Sequence, residues 1–275
     1  MDQKQTLLCE FVNQGRDLIA AAEKTIWENP ELGFEEWKTH AYLKAEFEKL
    51  GYQVVEAGNV PGFYADIDTG KPGPKVLLTA EMDALLQPTH KHSVGGNAHA
   101  CGHHAQCAAL LGVAYALQQP GALEGLCGSV RLMAVPSEEL SSSNMPRRNQ
   151  MVREGIIRFT QGKVEFMHRG FMDDVDIAMM VHTTLGKDHD FRCDGGCNGI
   201  MYKSIVFTPN SPKSNALQAA TLAMNGINTL WATFADNPYA SMWPRLDLSL
   251  KGRSELTISV SCKEPDLQKK ISQSI

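Results

Sequence analysis

The chain has 275 residues, of which 43% are hydrophobic and 21% are charged, with a formal net charge of −5 at pH 7. This composition is typical of a folded globular protein, and the length is enough for about two domains. The mild acidity argues against a nucleic-acid or anionic-membrane surface, and no apolar run reaches the roughly 18 residues of a membrane span.

Helix and strand patterns alternate through the first two thirds of the chain. Apolar residues at helical spacing predict a first helix that ends at Asn29-Pro30. Further helices are predicted over about 39–50 and 104–117, and strands over 52–55, 62–67, 75–80, 129–135 and 176–181. The last three strands are nearly all apolar, which indicates burial on both faces. This order predicts an α/β fold with a mainly parallel sheet and helices on both faces.

The pattern changes after about residue 198. Strand patterns at 201–207, 246–250 and 255–262 accompany a helix whose apolar stripe runs from Leu217 to Phe234, and a last helix begins near Asp266. This order predicts a partial α+β domain. We therefore predict two domains, residues 1–198 and residues 199–275.

Cysteine usage indicates a reducing compartment. The seven cysteines are an odd number, and the start MDQKQTLLCEFVNQGRD has no basic segment followed by an apolar one. This pattern favours free thiols in a cytoplasmic protein over a disulfide framework. A functionally special cysteine here is expected to be a metal ligand or a nucleophile.

The segment GGNAHACGHHAQCAALLG, from Gly95 to Gly112, has the densest group of metal-binding side chains. Cys101 and His103 are separated by one residue directly before a predicted helix, so both can reach one metal ion. The positive end of the helix dipole is expected to favour thiolate and neutral imidazole, the forms that bind metals. An isolated Cys-x-His pattern also suits a buried cysteine in a capping loop with histidines at the surface.

Polar side chains follow the three buried strands. The first runs into Glu81-Met82-Asp83, and the other two are followed by Glu138-Glu139 and by His182. The carboxyl ends of parallel strands form a common crevice, so these groups predict a site for one or two ions such as zinc, manganese or cobalt. Because successive side chains in an extended segment point apart, one of the paired glutamates can bind metal while the other faces the substrate as a proton shuttle.

Four segments carry a resemblance to a known family: ENPELGFEE, HACGHH with AALLG, PSEEL and MMVHT. Over roughly residues 1–205 the sequence resembles metallopeptidase family twenty. The branch is that of hippurate hydrolase, indole-acetyl-amino-acid hydrolases and aminobenzoyl-glutamate hydrolase. The resemblance implies a zinc-peptidase-like catalytic domain interrupted by a lid domain that also dimerises. Carried over by position, Cys101, His103, Glu139 and His182 would bind two metal ions, Glu138 would be the general base, and Asp83 would orient a ligand from behind.

The implied activity is metal-dependent hydrolysis of the amide bond in N-acyl amino acids or small peptides. The two divalent ions would be zinc or manganese, with cobalt or nickel also suited to this donor set. The implied partner is a small amide or peptide substrate, with no nucleic acid or membrane partner and with a homodimer formed through the lid. A charged block from Asn144 to Arg169 is interpreted as a solvated helix face, although a substrate carboxylate can also pair with one of its arginines.

The sequence also departs from this family. Relatives carry a histidine after the first lid strand and another in a later catalytic segment, whereas no histidine follows His189 here. The chain is expected to stop inside the lid's second helix. The alternative hypothesis is therefore a truncated, non-catalytic family remnant that lacks the lid histidine and a C-terminal metal ligand.

Overall fold

The computed structural model describes residues 2–139, 144–183, 199–207, 216–234, 240–247, 254–262 and 265–274. The chain divides into two compact units, Met1–Gly186 and Lys187–Ile275. The predicted domain boundary at residue 198 lies outside the described residues. Among the helices that the structure describes, none is long and apolar enough to cross a membrane.

The first unit alternates helices with strands. Its helices are α1 (Gln3–Gln14), α2 (Arg16–Trp27), α3 (Trp37–Lys49), α4 (His103–Leu117), α5 (Met145–Arg153) and α6 (Gly162–His168). Its strands are β1 (Val54–Glu56), β2 (Phe63–Asp68), β3 (Lys75–Glu81), β4 (Leu85–Leu86), β5 (Asn97–Ala98), β6 (Ser129–Val135) and β7 (Ile177–Met180).

A five-stranded sheet in the order β1-β2-β6-β3-β7 organises this unit, and β4 and β5 form a separate pair. Strand β3 is parallel to both β6 and β7, and β2 is antiparallel to both β1 and β6. All strands of this sheet except β2 therefore run in one direction, which confirms the predicted mainly parallel sheet. Glu81 pairs with Val135 in the register of β3 and β6, so both strands end at the same edge.

Helices cover both faces of the sheet, as predicted. On β6, Leu132 and Ala134 pack into a core that includes residues of α2, α3 and α4. The alternate residues Met133 and Val135 pack into a second core, which includes Met151 of α5 and Phe166 of α6. This alternation is the side-chain period of a strand that is buried on both faces.

The structure corrects the prediction of a single first helix. The helix breaks at Gly15, between α1 and α2. A Cβ atom at Gly15 would lie 2.7 Å from Cδ1 of Tyr115, so the backbone approaches α4 closely there. The apolar spacing continues across the break, which explains why the sequence pattern did not reveal it.

The predicted burial of the strand at 176–181 is also wrong. β7 is the edge strand of the described sheet, and Ile177, Met179 and Met180 are exposed. An apolar run indicates a strand but does not specify how many neighbours the strand has.

The second unit is a small α+β arrangement. Strands β8 (Gly199–Phe207), β9 (Ala240–Asp247) and β10 (Ser254–Cys262) form an antiparallel sheet in the order β8-β10-β9. Helices α7 (Ala216–Phe234) and α8 (Pro265–Ser274) supply Ile227 and Ile271 to a core with Ile258 and Val260 of β10. This order agrees with the predicted partial α+β domain.

Candidate metal centre

His103 is the first residue of α4 and its side chain is 0% exposed. Its Nδ1 atom donates to the backbone carbonyl of Asp83 at 2.8 Å and lies 3.2 Å from Oδ1 of the same residue. Its Nε2 atom makes no hydrogen bond within the described part of the chain. An imidazole whose Nδ1 atom is fixed by the protein while its Nε2 atom faces carboxylates is the arrangement of a metal-binding histidine.

Carboxylates converge on the Nε2 atom of His103. Nε2 of His103 lies 3.0 Å from Oε2 of Glu81, 3.9 Å from Oε1 of Glu139 and 4.0 Å from Oε2 of Glu138. The ring of His182 has its centroid 6.0 Å from that of His103. The possible ligand atoms of His103, Glu138 and Glu139 all lie within 4.8 Å of one another, and the same holds for Glu81, His103 and His182.

Asp83 connects two of these residues. Besides contacting Nδ1 of His103, its carboxylate accepts a hydrogen bond from the backbone N–H of Glu139 at 2.8 Å. Asp83 is buried, with 1% of its surface exposed. It therefore lies behind His103 and Glu139 and fixes the position of both.

Cys101 lies beside the same group. Its thiol contacts the carboxylate of Glu139, and its backbone carbonyl accepts a hydrogen bond from Oγ1 of Thr183 at 2.8 Å. This bond joins the Cys101 loop to the segment that carries His182. The structure thus brings the sequence-predicted residues Asp83, Cys101, His103, Glu138, Glu139 and His182 together at one edge of the sheet.

Strained backbone positions the paired glutamates. Ser137, directly before Glu138, has a φ of 56°, in the left-handed region that is uncommon for residues other than glycine. Its N–H donates to Oε1 of buried Glu36 at 2.7 Å, and its hydroxyl donates to the carbonyl of Thr160. The strain is therefore held by specific hydrogen bonds, and the turn directs Glu138 and Glu139 into the site.

The electrostatics differ from the sequence-based expectation. Burial, followed by the carboxylates of Glu139 and Glu138, raises the pKa of Cys101 to about 12. Burial lowers the pKa of His103, but contacts with Asp83 and Glu81 outweigh burial and raise it to about 10. The expected effect of the helix N-terminus, which favours thiolate and neutral imidazole, is therefore outweighed by burial at Cys101 and by the surrounding carboxylates at both residues.

Sequence reasoning missed several charged residues near this site. Glu81 is 0% exposed and is paired with Lys163 of α6. Arg148 is 1% exposed, so interpreting the whole 144–169 block as a solvated helix face is wrong. Burial lowers the pKa of Arg148, whereas nearby Asp83 and Glu36 act in the opposite direction. The residues that Glu81 and Arg148 contact are distant from them in sequence. The one signal in the sequence was the position of Glu81 at the end of a buried strand.

The donor set suits a divalent cation. Oε1 of Glu139 and Nε2 of His103 are buried polar atoms without a hydrogen-bond partner in the part of the chain that is described. Buried carboxylates are costly unless they are paired with cations or bind metals. Thiol, imidazole and carboxylate groups together are ligands of zinc and related ions, so the residues present fit the predicted metal centre.

Fold and site together are those of an α/β protein with a metal-binding group at the carboxyl edge of its sheet. The model of one peptidase family, M20/M25/M40, matches residues 63–231. Because this match covers more than half of the chain, the protein belongs to peptidase family M20/M25/M40. The predicted family is thereby confirmed.

Individual relatives are consistent with this assignment. The chain is 37% identical over 163 residues to IAA-amino acid hydrolase ILR1-like 2 of Arabidopsis thaliana, covering 57% of this chain and 36% of the relative. It is 33% identical over 221 residues to one of the polypeptides of p-aminobenzoyl-glutamate hydrolase from Escherichia coli K12, covering 74% of this chain and 41% of the relative. The chain thus spans well under half the length of these two relatives.

Solved structures share the fold. The YXEP protein of Bacillus subtilis, described as a dinuclear metal-binding peptidase of the M20 family, aligns with a TM-score of 0.64 at 18% identity. That alignment covers 95% of this chain and 68% of the other. An aminobenzoyl-glutamate utilization protein from Klebsiella pneumoniae aligns with a TM-score of 0.65 at 17% identity, covering 97% of this chain and 72% of the other.

Proposed function

We propose that this protein is a metal-dependent amidohydrolase that cleaves the amide bond of N-acyl amino acids or small peptides. The observation that carries the proposal is the convergence of Glu138 and Glu139 on the Nε2 atom of buried His103. The family assignment and the hydrolase names of the relatives support the same reaction class.

The ligands proposed for two divalent ions are Cys101, His103, Glu139 and His182. When bound, such ions lower the pKa of a water molecule and stabilise negative charge that develops on the carbonyl oxygen. Asp83 orients His103 through Nδ1 and holds the backbone of Glu139, so it maintains the ligand geometry from behind. Zinc or manganese suits this donor set.

Glu138 is the proposed general base. Its side chain is 36% exposed, so it can reach a substrate, whereas the side chain of Glu139 is 14% exposed. Burial, followed by the charge of Glu81, raises the pKa of Glu138. A carboxylate with a raised pKa takes a proton from water more readily and can then return the proton to the departing amine.

The substrate class is inferred from the names of the relatives. IAA-amino acid hydrolase and p-aminobenzoyl-glutamate hydrolase are both named for substrates in which an acyl group is joined to an amino acid. We extend this class, and not an individual substrate, to the present chain. A homodimer formed through the second unit and a cytoplasmic location are further expectations from the sequence, which gel filtration and cell fractionation would test.

Separate substitutions of Glu138 and Glu139 test the roles proposed for these adjacent residues. Glu138→Gln should retain bound metal and lose activity by about 10²–10⁴-fold, because general-base catalysis contributes roughly that factor. Glu139→Gln, the matched control, should lose metal as well as activity. The measurements are metal content after dialysis and hydrolysis of a panel of N-acyl amino acids. Full activity in Glu138→Gln would remove Glu138 from its proposed role.

The same panel separates the two hypotheses from the sequence. Stoichiometric metal together with hydrolysis by the unmodified chain supports the amidohydrolase. Metal binding without hydrolysis of any member of the panel would instead support the non-catalytic alternative.

A further inference from the structure

Glu81 lies at the C-terminal end of β3, and the proposed ligand set does not include it. Its Oε2 atom is 3.0 Å from Nε2 of His103, the buried ring nitrogen that faces the candidate centre. Two nitrogen or oxygen ligands that share one divalent ion at about 2.1 Å each are roughly 3.0 Å apart in octahedral coordination and roughly 3.4 Å apart in tetrahedral coordination. The separation of these two atoms is that of an ion pair, and it also suits two ligands of the same ion.

The carboxylate of Glu81 is held in place by contacts on its protein side. Gln106 of α4 accepts from the backbone N–H of Glu81 at 3.0 Å and donates to Oε2 at 3.3 Å. The thiol of Cys107 donates to the backbone carbonyl of Glu81 at 3.1 Å, and Lys163 pairs with Oε1. Carboxylates that bind metals are oriented by neighbours of this kind, which reduce the ordering required when the ion binds.

His182 provides a third potential ligand for the same position. The possible ligand atoms of Glu81, His103 and His182 all lie within 4.8 Å of one another. The second such group, formed by His103, Glu138 and Glu139, shares only His103 with the first. Glu81 thus supplies a carboxylate to the half of the centre that otherwise has only imidazoles.

We propose that Glu81 is an additional ligand of the metal centre and binds the same ion as His103 and His182. This inference rests on the proposed function, because it requires that the centre bind divalent ions. Lys163 keeps the second carboxylate oxygen paired while Oε2 faces the ion. The competing explanation is that Glu81 serves only as the ion-pair partner of Lys163 and His103.

Metal titration distinguishes these explanations. Manganese or zinc is titrated into the intact chain and into Glu81→Gln, Glu81→Asp and Asp66→Asn, with calorimetry as the readout. We expect both Glu81 variants to bind one ion about 10-fold or more weakly, in line with losses seen when partners of metal ligands are removed. Glu81→Asp keeps the negative charge that pairs with Lys163 but has a shorter side chain. A loss of metal affinity in this variant would therefore show that the carboxylate must extend as far as the ion.

Asp66→Asn is the matched control, because Asp66 lies in the same sheet and pairs with Arg131 and Lys75 outside the centre. It should lower the melting temperature without changing metal affinity. Unchanged affinity in both Glu81 variants would overturn the inference and leave Glu81 as a partner of Lys163. If Glu81→Gln does not fold, the absorption spectrum of cobalt bound to Glu81→Asp is compared with that of cobalt bound to the unmodified chain. An unchanged spectrum would contradict a ligand role for Glu81. Absence of metal binding by the unmodified chain would instead refute the proposed function itself.

Discussion

Glu165 of α6 shows how one buried carboxylate organises the chain between α5 and α6. Its Oε2 atom accepts from the backbone N–H groups of Arg158 at 2.8 Å and Phe159 at 2.9 Å. Its Oε1 atom accepts from Nε of Arg169 at 2.8 Å. Burial raises the pKa of Glu165, but these donors outweigh burial and the net pKa is lowered. The fold therefore favours the charged form.

Glu165→Gln should lower the free energy of unfolding by about 1.5–3 kcal/mol at pH 7, because hydrogen bonds to a charged acceptor are lost. A carboxylate whose pKa is lowered by folding stabilises the protein above its unfolded pKa of roughly 4.3, and this stabilisation is lost as the pH falls through the folded value. The difference between variant and parent should therefore shrink in urea denaturation near pH 3. An equal difference at both pH values would contradict the role of the charge.

Glu154→Gln is the control for this comparison. Glu154 follows the last residue of α5, and its side chain is 42% exposed, accepts a hydrogen bond from Gln150 and lies 3.7 Å from the guanidinium of Arg147. Surface substitutions of this kind change the free energy of unfolding by about 0.5 kcal/mol or less. A loss as large as that of Glu165→Gln would show that the assay responds to any removed glutamate.

Residues of the candidate site could be predicted where local sequence carries the information. Cys101 and His103 are two positions apart before a helix, and Glu138 and Glu139 follow a recognisable buried strand. Glu81 and Lys163 could not be paired in this way, because their contact depends on how β3 and α6 pack. The pKa directions of Cys101 and His103 were wrong for the same reason, since they depend on carboxylates from other strands.

Elements were predicted more reliably than their junctions. The strand at 129–135 and the helix near 104–117 agree with β6 and α4, because each is a largely apolar segment of the length typical of its element. The break falls at Gly15, which lies against the ring of Tyr115, and the exposure of β7 depends on its position in the sheet. Both properties are tertiary and leave no signal in the local apolar pattern.

Gly15→Ala tests the origin of the break between α1 and α2. Alanine favours a continuous helix by about 1 kcal/mol, yet its Cβ atom would lie 2.7 Å from the ring of Tyr115. Since overpacking costs about 1–3 kcal/mol, we expect a net loss of stability. Adding Tyr115→Ala removes the clash, so the double variant should be more stable than the sum of the single effects predicts. Additive free energies in chemical denaturation would contradict this origin.

At the scale of the whole molecule, the fold class was predictable because helices alternate with buried strands in the first unit and not in the second. The strand order could not be predicted, because it depends on which strands pair across long sequence separations. In the sheet β6 lies between β2 and β3, although in sequence β6 follows both of them and comes after β4, β5 and α4. This order places the ends of β3 and β6 side by side, and the candidate metal centre results from that adjacency.

The division into two units gives the last prediction. Every residue of the candidate centre lies within Met1–Gly186, so a bound ion should stabilise that unit. An ion that binds only the folded state adds about 2.7 kcal/mol when its concentration is a hundred times its dissociation constant. For a unit of this size, that free energy raises the melting temperature by about 5–10 °C. Scanning calorimetry with manganese or zinc should show this increase, and a chelator should reverse it.

His103→Ala is the control, because this substitution removes the ligand common to both groups of metal-binding atoms. Its melting temperature should not respond to either ion. If the units unfold in separate transitions, only that of the first unit should move, since none of the described residues of the second unit belongs to the candidate centre. Equal shifts of both transitions, or the same shift in His103→Ala, would show that the ions act elsewhere on the protein and would contradict a metal centre at this edge of the sheet.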